Sequence, residues 1–394
     1  MSAGAGGAAA IDRRALRSVA VQFFANGTVY ATVIPRLPDI RDRVDISIGA
    51  LGLVLTLGSA AGLIGSLLTG RAIATFGSRR VMIYGSLCWI CFLPVIGFST
   101  GPVPLVVGLF GLLFFDIFID VAMNVQGSAL SARRHTPVMN RLHGLWSLGT
   151  VTGGVVTVLT LRAGVSTPVH LGAVAVLLGA ALVFVAPGLL HRDDAPELED
   201  AVASAAPRRR PLGAASLLLT AAGAMAMTIE IANGDWASFR LGEDLDARPG
   251  IAGLAFVAFT AGMTMGRLGG DWLQVRLGTT RLFRLAALVA GVGSAMAALV
   301  PVAAVSIIGF LVAGLGTSVL FPQLYDRAAR SPGPPGSGFA SMLVGQRGAG
   351  LLVPLVVGGL ADTDALGVGQ AMAIVTVPAS IVVSLTTVRS PARR

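Results

Sequence analysis

The chain has 394 residues, of which 54% are hydrophobic and only 12% are charged, and its mean hydropathy is +0.79. Soluble domains carry about 25% charged residues, so this composition excludes an ordinary soluble protein and indicates a membrane protein. All 29 basic residues are arginine, and they lie mostly in short gaps between apolar runs, so the net charge of +9 favours loops at a membrane surface over a nucleic-acid partner.

Twelve apolar runs follow one another along the chain, each about 20 residues long, which is the length that crosses a bilayer. Their predicted ranges are 16–37, 47–69, 81–99, 103–126, 142–162, 168–190, 212–235, 250–270, 282–300, 302–325, 339–361 and 366–388. The basic segment IDRRALR directly precedes the first run, a signal-anchor pattern that places the N-terminus inside. The sequence therefore predicts an all-α membrane protein with twelve transmembrane helices.

One long polar stretch, residues 191–211, interrupts this series and divides the runs into six and six. It contains the acidic sequence DDAPELED followed by PRRRP, which predicts a cytoplasmic linker. The predicted domains are therefore an N-terminal six-helix bundle over 1–190 and a C-terminal six-helix bundle over 212–394.

The two halves repeat a Gly/Arg-rich turn: GSLLTGRAIATFGSRR follows the second run and GRLGGDWLQVRLGTTR follows the eighth. Aligning Gly77 with Gly278 also pairs Gly65 with Gly266 and Arg80 with Arg281. A second register matches Gln126 and Arg133 with Gln323 and Arg330. In that register Asp120 falls on Thr317, so this acid belongs to one half only. Repeated six-helix halves are a transporter architecture.

The arginines are concentrated in loops that lie inside if both ends of the chain are cytoplasmic, as the positive-inside rule predicts. We therefore expect a multi-pass protein of the inner (cytoplasmic) membrane with both termini in the cytoplasm. Single-cysteine labelling should find Arg210→Cys and Arg394→Cys accessible from the cytoplasm and Glu243→Cys accessible from outside. Finding the two ends of the chain on opposite sides would reject the twelve-helix count.

The fourth run ends in a polar stripe, because Asp116, Asp120 and Asn124 are spaced four apart and share one helix face. A carboxylate in hydrocarbon costs about 2.5 to 3.5 kcal/mol on insertion scales, so two on one face indicate that the stripe faces protein or water. The alternative is a structural polar contact between packed helices. We predict that Asp120 carries the coupled proton and that Asp116, one turn deeper, tunes it, since two neighbouring carboxylates disfavour double ionisation.

Polar residues on other runs are further candidates for substrate binding. Asn26 and Tyr30 follow Gln22 at four-residue intervals on the first run, and Glu230 precedes the polar end of the seventh run by about one turn. The stripe on the first run has two explanations, contact with a substrate or hydrogen bonding between helices. For Glu230 the alternatives are contact with a ligand or proton and closure of an outer gate.

The two six-run halves, the basic central loop and the Gly/Arg-rich turn resemble the major facilitator superfamily. Within it, DVAMNVQ at 120–126 and LHGLWSLG at 142–149 resemble the MosC-like branch, near the fucose permeases. The resemblance implies the major facilitator fold over nearly the whole chain. It also implies that Asp120 and Asn124 match the acid and the asparagine of helix 4, and that His143 and Trp146 match substrate-facing positions of helix 5.

The sequence departs from the resembled pattern in the turn, in the first run and at the helix 5 positions. The turn has Ala74 where the superfamily carries an aspartate, so an inner gate there would rest on Arg71, Arg80 and, in the second half, Asp271. The first run lacks the second acid of the fucose permeases, so their sugar specificity is not carried over.

Arg347 is an arginine placed inside an apolar run, where a cation needs a partner. A helical rise of about 1.5 Å per residue puts it near the depth of Asp116 and Asp120. One hypothesis is that Arg347 attracts these acids when the inner gate is shut, and that protonating Asp120 weakens this lock. The alternative is that backbone carbonyls of its own half cap Arg347.

These features favour a secondary active transporter that moves a small polar solute, such as a sugar or sugar derivative, by alternating access with proton coupling. An enzyme is not predicted, because the chain has no G-x-x-x-x-G-K and no H-E-x-x-H motif. No cofactor, metal or nucleic-acid partner is predicted, and a monomer in the lipid bilayer is expected. The alternatives are a drug or metabolite exporter of the same superfamily and a membrane sensor or scaffold that transports nothing.

Overall fold

The structure is a computed structural model that describes residues 2–136, 138–191, 213–331 and 337–386, with their side chains except those of 2–9 and Asp271. These residues are almost all helical and contain no strand. Of the predicted linker, residues 191–211, only His191 falls within the described ranges.

The helices follow the predicted runs closely. In chain order they are α1 (Ser2–Val33), α2 (Leu37–Val44), α3 (Ile48–Phe76), α4 (Ser78–Gly97), α5 (Pro102–Arg133), α6 (Met139–Arg162), α7 (Thr167–Val185), α8 (Ala214–Asp235), α9 (Ala237–Leu245), α10 (Pro249–Leu277), α11 (Thr279–Leu299), α12 (Ala303–Thr317), α13 (Leu320–Ala329), α14 (Ser337–Ala361) and α15 (Val368–Leu385). Short 3-10 turns follow α1 and α7.

Eleven candidate membrane spans, each apolar and long enough to cross a bilayer, lie in the described part of the chain. Helix α1 is not among them, because its basic start and the side chains of Gln22 and Asn26 make it less apolar. Together with α1 they form the all-α membrane fold with twelve long helices, which confirms the predicted fold class.

Two predicted runs end or break where proline alters the helix. The first run was predicted to reach residue 37, but α1 ends at Val33 and a 3-10 turn follows over Ile34–Arg36. Pro35 lacks the N–H that would continue the helical ladder. The tenth run is divided into α12 and α13, and Pro322 lies in the first turn of α13, where its missing N–H needs no partner.

The chain folds into two compact units. Unit 1 takes in the described residues of Met1–Val33, Asp42–Asp45 and Leu57–Arg208. Unit 2 takes in those of Ile34–Arg41, Ile46–Thr56 and Arg209–Arg394. Each unit therefore contains most of the helices of one half of the sequence, and unit 2 also holds two short segments from the first half.

In unit 1, α1 packs against α6 with their backbones in close approach. A Cβ atom on Gly27 would collide with the carbonyl oxygen of Trp146, and one on Gly149 would collide with that of Phe24. Small residues at such contacts let membrane helices pack closely. A larger side chain at Gly27 or Gly149 would force α1 and α6 apart.

Unit 2 repeats this contact between α8 and α14. A Cβ on Gly223 would meet the carbonyl oxygen of Met342, and one on Gly345 would meet that of Thr220. Gly223 corresponds to Gly27, Met342 to Trp146, Gly345 to Gly149 and Thr220 to Phe24. The interval along the sequence is the same for all four pairs. The two units thus build an equivalent helix pair on equivalent glycines.

A second repeated contact joins an arginine of a short helix to the end of a distant helix. In unit 1, Arg43 donates hydrogen bonds to the carbonyl oxygens of Ser99 (3.0 Å) and Ile96 (3.2 Å) at the end of α4. Carbonyl groups at the end of a helix lack an i+4 N–H donor, and the carbonyl of Ile96 also accepts the backbone N–H and the hydroxyl of Ser99. The guanidinium therefore caps α4 and ties it to the segment that follows α1.

In unit 2, Arg240 of α9 does the same for α11. It donates to the carbonyl oxygens of Ala297 (3.2 Å) and Val300 (3.0 Å), and it pairs with Asp244 at 2.9 Å. The carboxylate of Asp244 in turn accepts the backbone N–H groups of Val368 and Gly369 at the start of α15. This Arg240–Asp244 clamp joins α9, α11 and α15.

The aligned turn glycines have the same backbone conformation, which supports the predicted register. Gly77 precedes α4 with φ 79° and Gly278 precedes α11 with φ 74°. A side chain is strained in this region and glycine is not. The Gly/Arg-rich turn therefore uses glycine for the same reason in both units.

Candidate functional site

Three of the predicted site residues meet in unit 1 through one asparagine. The side-chain nitrogen of Asn26 on α1 donates to an oxygen of Asp116 on α5 at 2.8 Å. The indole Nε1 of Trp146 on α6 donates to the side-chain oxygen of Asn26, also at 2.8 Å. Asn26 therefore joins three helices in a hydrogen-bonded chain, which we call the Trp146–Asn26–Asp116 chain.

The chemistry of these groups fixes the orientation of the asparagine. An indole N–H can only donate, so the group of Asn26 that faces Trp146 must be its oxygen. The amide nitrogen then faces Asp116, where the carboxyl oxygen is the acceptor. Asp116 therefore keeps this hydrogen bond whether its carboxyl group is ionised or protonated on its other oxygen.

Close packing of the helices brings these residues together. Asn26 precedes Gly27, whose Cα lies against the carbonyl of Trp146. At this separation the short amide side chain spans the gap from α1 to both α5 and α6. Asn26 itself is buried, while Asp116 and Trp146 are half-buried.

The second pair of predicted residues lies one and two turns farther along α5. The side-chain nitrogen of Asn124 donates to the backbone oxygen of Asp120 at 2.8 Å and to its carboxylate at 3.2 Å. Asp120 also acts electrostatically on Asp116. The three residues of the predicted stripe therefore share one half-buried face of a continuous helix.

Aromatic groups flank this polar stripe. His143, one turn before Trp146, has an exposed ring whose edge meets Phe23 with the ring centroids 5.3 Å apart. Tyr30, one turn after Asn26, is 38% exposed. Unit 1 thus carries two carboxyl groups, two amides and three rings with polar atoms on α1, α5 and α6.

The predicted residues of unit 2 are more dispersed. One carboxyl oxygen of Glu230 on α8 is buried and has no hydrogen-bond partner among the described residues, and Arg267 is the charged group that acts on it. Arg347 on α14 is half-buried and makes no hydrogen bond or ion pair with the described part of its own unit. Its neighbour Gln346 has a buried side-chain nitrogen that is likewise without a described partner.

The residues predicted for an inner gate lie at helix ends. Arg71 near the end of α3 and Arg80 in the first turn of α4 are both exposed. The side chain of Asp271 is outside the described residues. Among the described residues, no group of three His, Cys, Asp or Glu side chains is placed to hold a metal ion.

Several contacts were not predicted from the sequence. Gln22 begins the stripe on α1, but its amide donates to Ser86 on α4 at 3.2 Å, away from Asp116. In unit 2, Arg41 pairs with Glu243 at 2.9 Å and Ser47 donates to Asp362 at 3.1 Å. Spacing along one helix cannot reveal partners that are far apart in the sequence.

Trp146→Phe tests the hydrogen bond to Asn26, because it keeps an aromatic ring and removes the indole N–H. We expect the free energy of unfolding of the purified protein to fall by about 1 kcal/mol beyond the effect of the smaller ring. Trp89→Phe is the matched control, since Trp89 is buried and its N–H has no partner among the described residues. Equal losses in the two variants would mean that the bond to Asn26 contributes nothing to stability.

Comparison with known proteins agrees with this architecture. The profile of the Major Facilitator Superfamily matches residues 19–354. Among curated relatives, the chain is 26% identical over 355 residues to the uncharacterized transporter y4wD of Sinorhizobium fredii, covering 88% of this chain and 91% of the relative. It is 28% identical over 318 residues to the membrane protein MosC of Rhizobium meliloti, covering 80% and 75% respectively.

A solved structure shares the fold. A crystal structure of a point mutant of the nucleoside transporter NupG superposes with a TM-score of 0.73 at 11% identity, covering 93% of this chain and 97% of that one. The predicted resemblance to the superfamily and to MosC is thereby confirmed, and the profile match spans both units. The chain belongs to the Major Facilitator Superfamily.

Proposed function

We propose that the protein is a proton-coupled secondary transporter that moves a small polar solute, such as a sugar or sugar derivative, across the inner membrane by alternating access. The observation that carries the proposal is the Trp146–Asn26–Asp116 chain with Asp120 one turn away on the same helix. Intramembrane carboxyl groups are costly and mark ion or substrate pathways. Transporters of this superfamily supply the architecture.

In this proposal the two acids of α5 have different tasks. Asp116 is held by Asn26, so its position is fixed and its carboxyl group orients the chain of hydrogen bonds. Asp120 takes up and releases the coupled proton. The two carboxyl groups repel each other when both are ionised, and a proton on Asp120 removes that repulsion together with one charge from the membrane interior.

The solute would bind beside these acids. Trp146 offers an aromatic face to the apolar side of a sugar-like ring, while Asn124, His143 and Tyr30 offer hydrogen bonds to hydroxyl groups. We assign Glu230 to a further solute or proton contact in unit 2. Arg71, Arg80, Asp271 and Arg347 are assigned to gating, with both termini in the cytoplasm and a monomer as the working form.

Reconstituted vesicles test this function. Purified protein is first screened for thermal stabilisation by sugars, polyols and apolar cations, because a ligand that binds the folded state raises its stability. A stabilising solute is then followed into vesicles with the outside more acidic than the inside. Accumulation that collapses with a protonophore supports the proposal.

Other outcomes would contradict it. Accumulation that does not change when the pH gradient is removed would exclude proton coupling. Stabilisation by apolar cations alone, together with their acid-dependent efflux, would favour a drug exporter. Absence of flux for every stabilising solute would favour a sensor or scaffold.

A further inference from the structure

One face of the second half of α14 is covered by the start of α3. A Cβ on Gly52 would collide with the carbonyl oxygen of Pro354 and would lie 3.2 Å from the Cα of Gly358. One turn farther along α3, the hydroxyl of Thr56 donates to the carbonyl oxygen of Leu351 at 3.0 Å. Thr56 is the last residue of this part of α3 that belongs to unit 2. Within the unit, the cover therefore ends at Leu351.

Arg347 lies one turn before Leu351 on the same face of α14, beyond the end of that cover. It is half-buried and lies inside a candidate membrane span. Its guanidinium makes no hydrogen bond or ion pair with any residue that the structure describes. A cation inside a span is costly, and it marks a functional site whose partner has to be identified.

Open space and a free acceptor lie about one turn from Arg347. A Cβ on Gly350 would meet nothing within 4 Å. Pro354, four residues later, has no N–H, so the carbonyl of Gly350 lacks its helical donor. Freed carbonyls of membrane helices are tolerated where they find another partner or line a cavity. This turn of α14 therefore has room for a ligand beside a guanidinium and a carbonyl oxygen.

A second unused donor lies on the same turn. Gln346 is 7% exposed, and its side-chain nitrogen has no partner among the described residues. This nitrogen and the guanidinium of Arg347 can only donate hydrogen bonds. The group that would satisfy them is therefore an acceptor, and a planar carboxylate matches the fork of the guanidinium.

We propose that Arg347 and the carbonyl oxygen of Gly350 form a subsite for a solute that carries a carboxylate and a neighbouring hydroxyl, as a sugar acid does. The carboxylate accepts two N–H groups of Arg347, and the hydroxyl donates to the carbonyl of Gly350. This inference rests on the proposed transport function and narrows its solute from polar to anionic. It also gives Arg347, assigned above to gating, a partner that arrives with the solute.

Isothermal titration calorimetry of the purified full-length protein in detergent tests the subsite. The probes are D-glucuronate and D-galacturonate, each compared with its neutral sugar, D-glucose or D-galactose. We expect at least one acid to bind about tenfold more tightly than its neutral sugar, because hydrogen bonds between charged groups are the stronger ones. Arg347→Gln should abolish this preference and leave the affinity for the neutral sugar unchanged. Arg281→Gln removes an exposed arginine in the first turn of α11 and should keep the preference.

Two glycine variants test the position of the subsite. Gly350→Ala places a methyl group beside Arg347 and should weaken binding of the acid by about fivefold or more, the effect of crowding in a filled site. Gly348→Ala is the matched control, because a Cβ there also meets nothing within 4 Å. Gly348 lies one turn from the exposed side chains of Val344 and Leu352, so this variant should bind the acid normally.

Several results would overturn the inference. They are equal affinities for each acid and its neutral sugar, an Arg347→Gln variant that keeps the preference, and equal weakening by Gly350→Ala and Gly348→Ala. Loss of the neutral sugar together with the acid in Arg347→Gln would show that Arg347 does not act on the carboxylate. These titrations use no proton gradient, so each of these results leaves the transport experiment standing. Absence of flux in vesicles with the acid preference intact would overturn the transport function alone.

Discussion

Replacing Asp120 with asparagine is expected to abolish accumulation of the solute against its gradient while exchange continues. Asparagine has nearly the shape of aspartate but cannot carry the coupled proton. With a gradient of about one pH unit and one proton per solute, the normal protein can accumulate solute about tenfold. The variant should stop near equal concentrations, because its transport cycle no longer uses the proton gradient. Radiolabelled uptake into vesicles, with and without a protonophore, measures this difference.

Counterflow provides the internal control for that variant. Vesicles preloaded with unlabelled solute need no proton gradient, so Asp120→Asn should still exchange labelled solute. Asp364→Asn is the matched substitution, since Asp364 is exposed on the loop before α15 and should accumulate solute normally. Gradient-driven accumulation by Asp120→Asn at the normal level would show that another group carries the proton.

Arg240→Ala is expected to give the largest loss of stability. Arg240 is 5% exposed, and its side chain binds two carbonyls at the end of α11 together with Asp244. Removing one partner of a buried ion pair costs about 3–5 kcal/mol, because the remaining groups stay buried without compensation. Denaturant unfolding of the purified protein, followed by the fluorescence of its tryptophans, measures this free energy.

Two further variants test the reason for that loss. Arg248→Ala removes an exposed arginine at the start of α10 and should change the free energy of unfolding by about 0.5 kcal/mol or less. Arg240→Lys keeps the charge but cannot reach all three acceptors with one ammonium group, so its stability should be intermediate. If Arg240→Ala were as stable as Arg248→Ala, the clamp would not hold the helices together.

The fold was largely predictable because the bilayer imposes the length of its helices. Run lengths alone located the twelve long helices, eleven of which are candidate membrane spans, and the register that aligned Gly77 with Gly278 holds in the backbone conformation of both. The end of α1 before Pro35 was not predicted, because a proline near the end of an apolar run does not change the length or the hydropathy from which a span is recognised. The tenth run was predicted as one span, and Ala303–Ala329 is one candidate span, although its helix is interrupted between α12 and α13.

The candidate site was predictable only within single helices. The spacing of Asp116 and Asp120 placed them on one face of α5, as the helix confirms. The contacts of Asn26 with Asp116 and Trp146 join residues 90 and 120 positions apart, and no periodicity carries that information. Glu230 and Arg347 were chosen as isolated charges in apolar runs, and their roles remain predictions.

The equivalent glycine contacts of the two units have a consequence for how such a protein changes over evolutionary time. The counterpart of Trp146 in the second helix pair is Met342, and the residue before Gly223 is Ala222, where the first pair has Asn26. Unit 2 therefore has the same helix geometry as the helix pair that holds the polar chain in unit 1, but the side chains at the equivalent positions, Met342 and Ala222, are apolar. A duplicated half can lose or gain polar chemistry by exchanging side chains, while its backbone contacts stay in place. The residues that determine substrate specificity can therefore change from one half of such a protein to the other during evolution, while the fold stays the same.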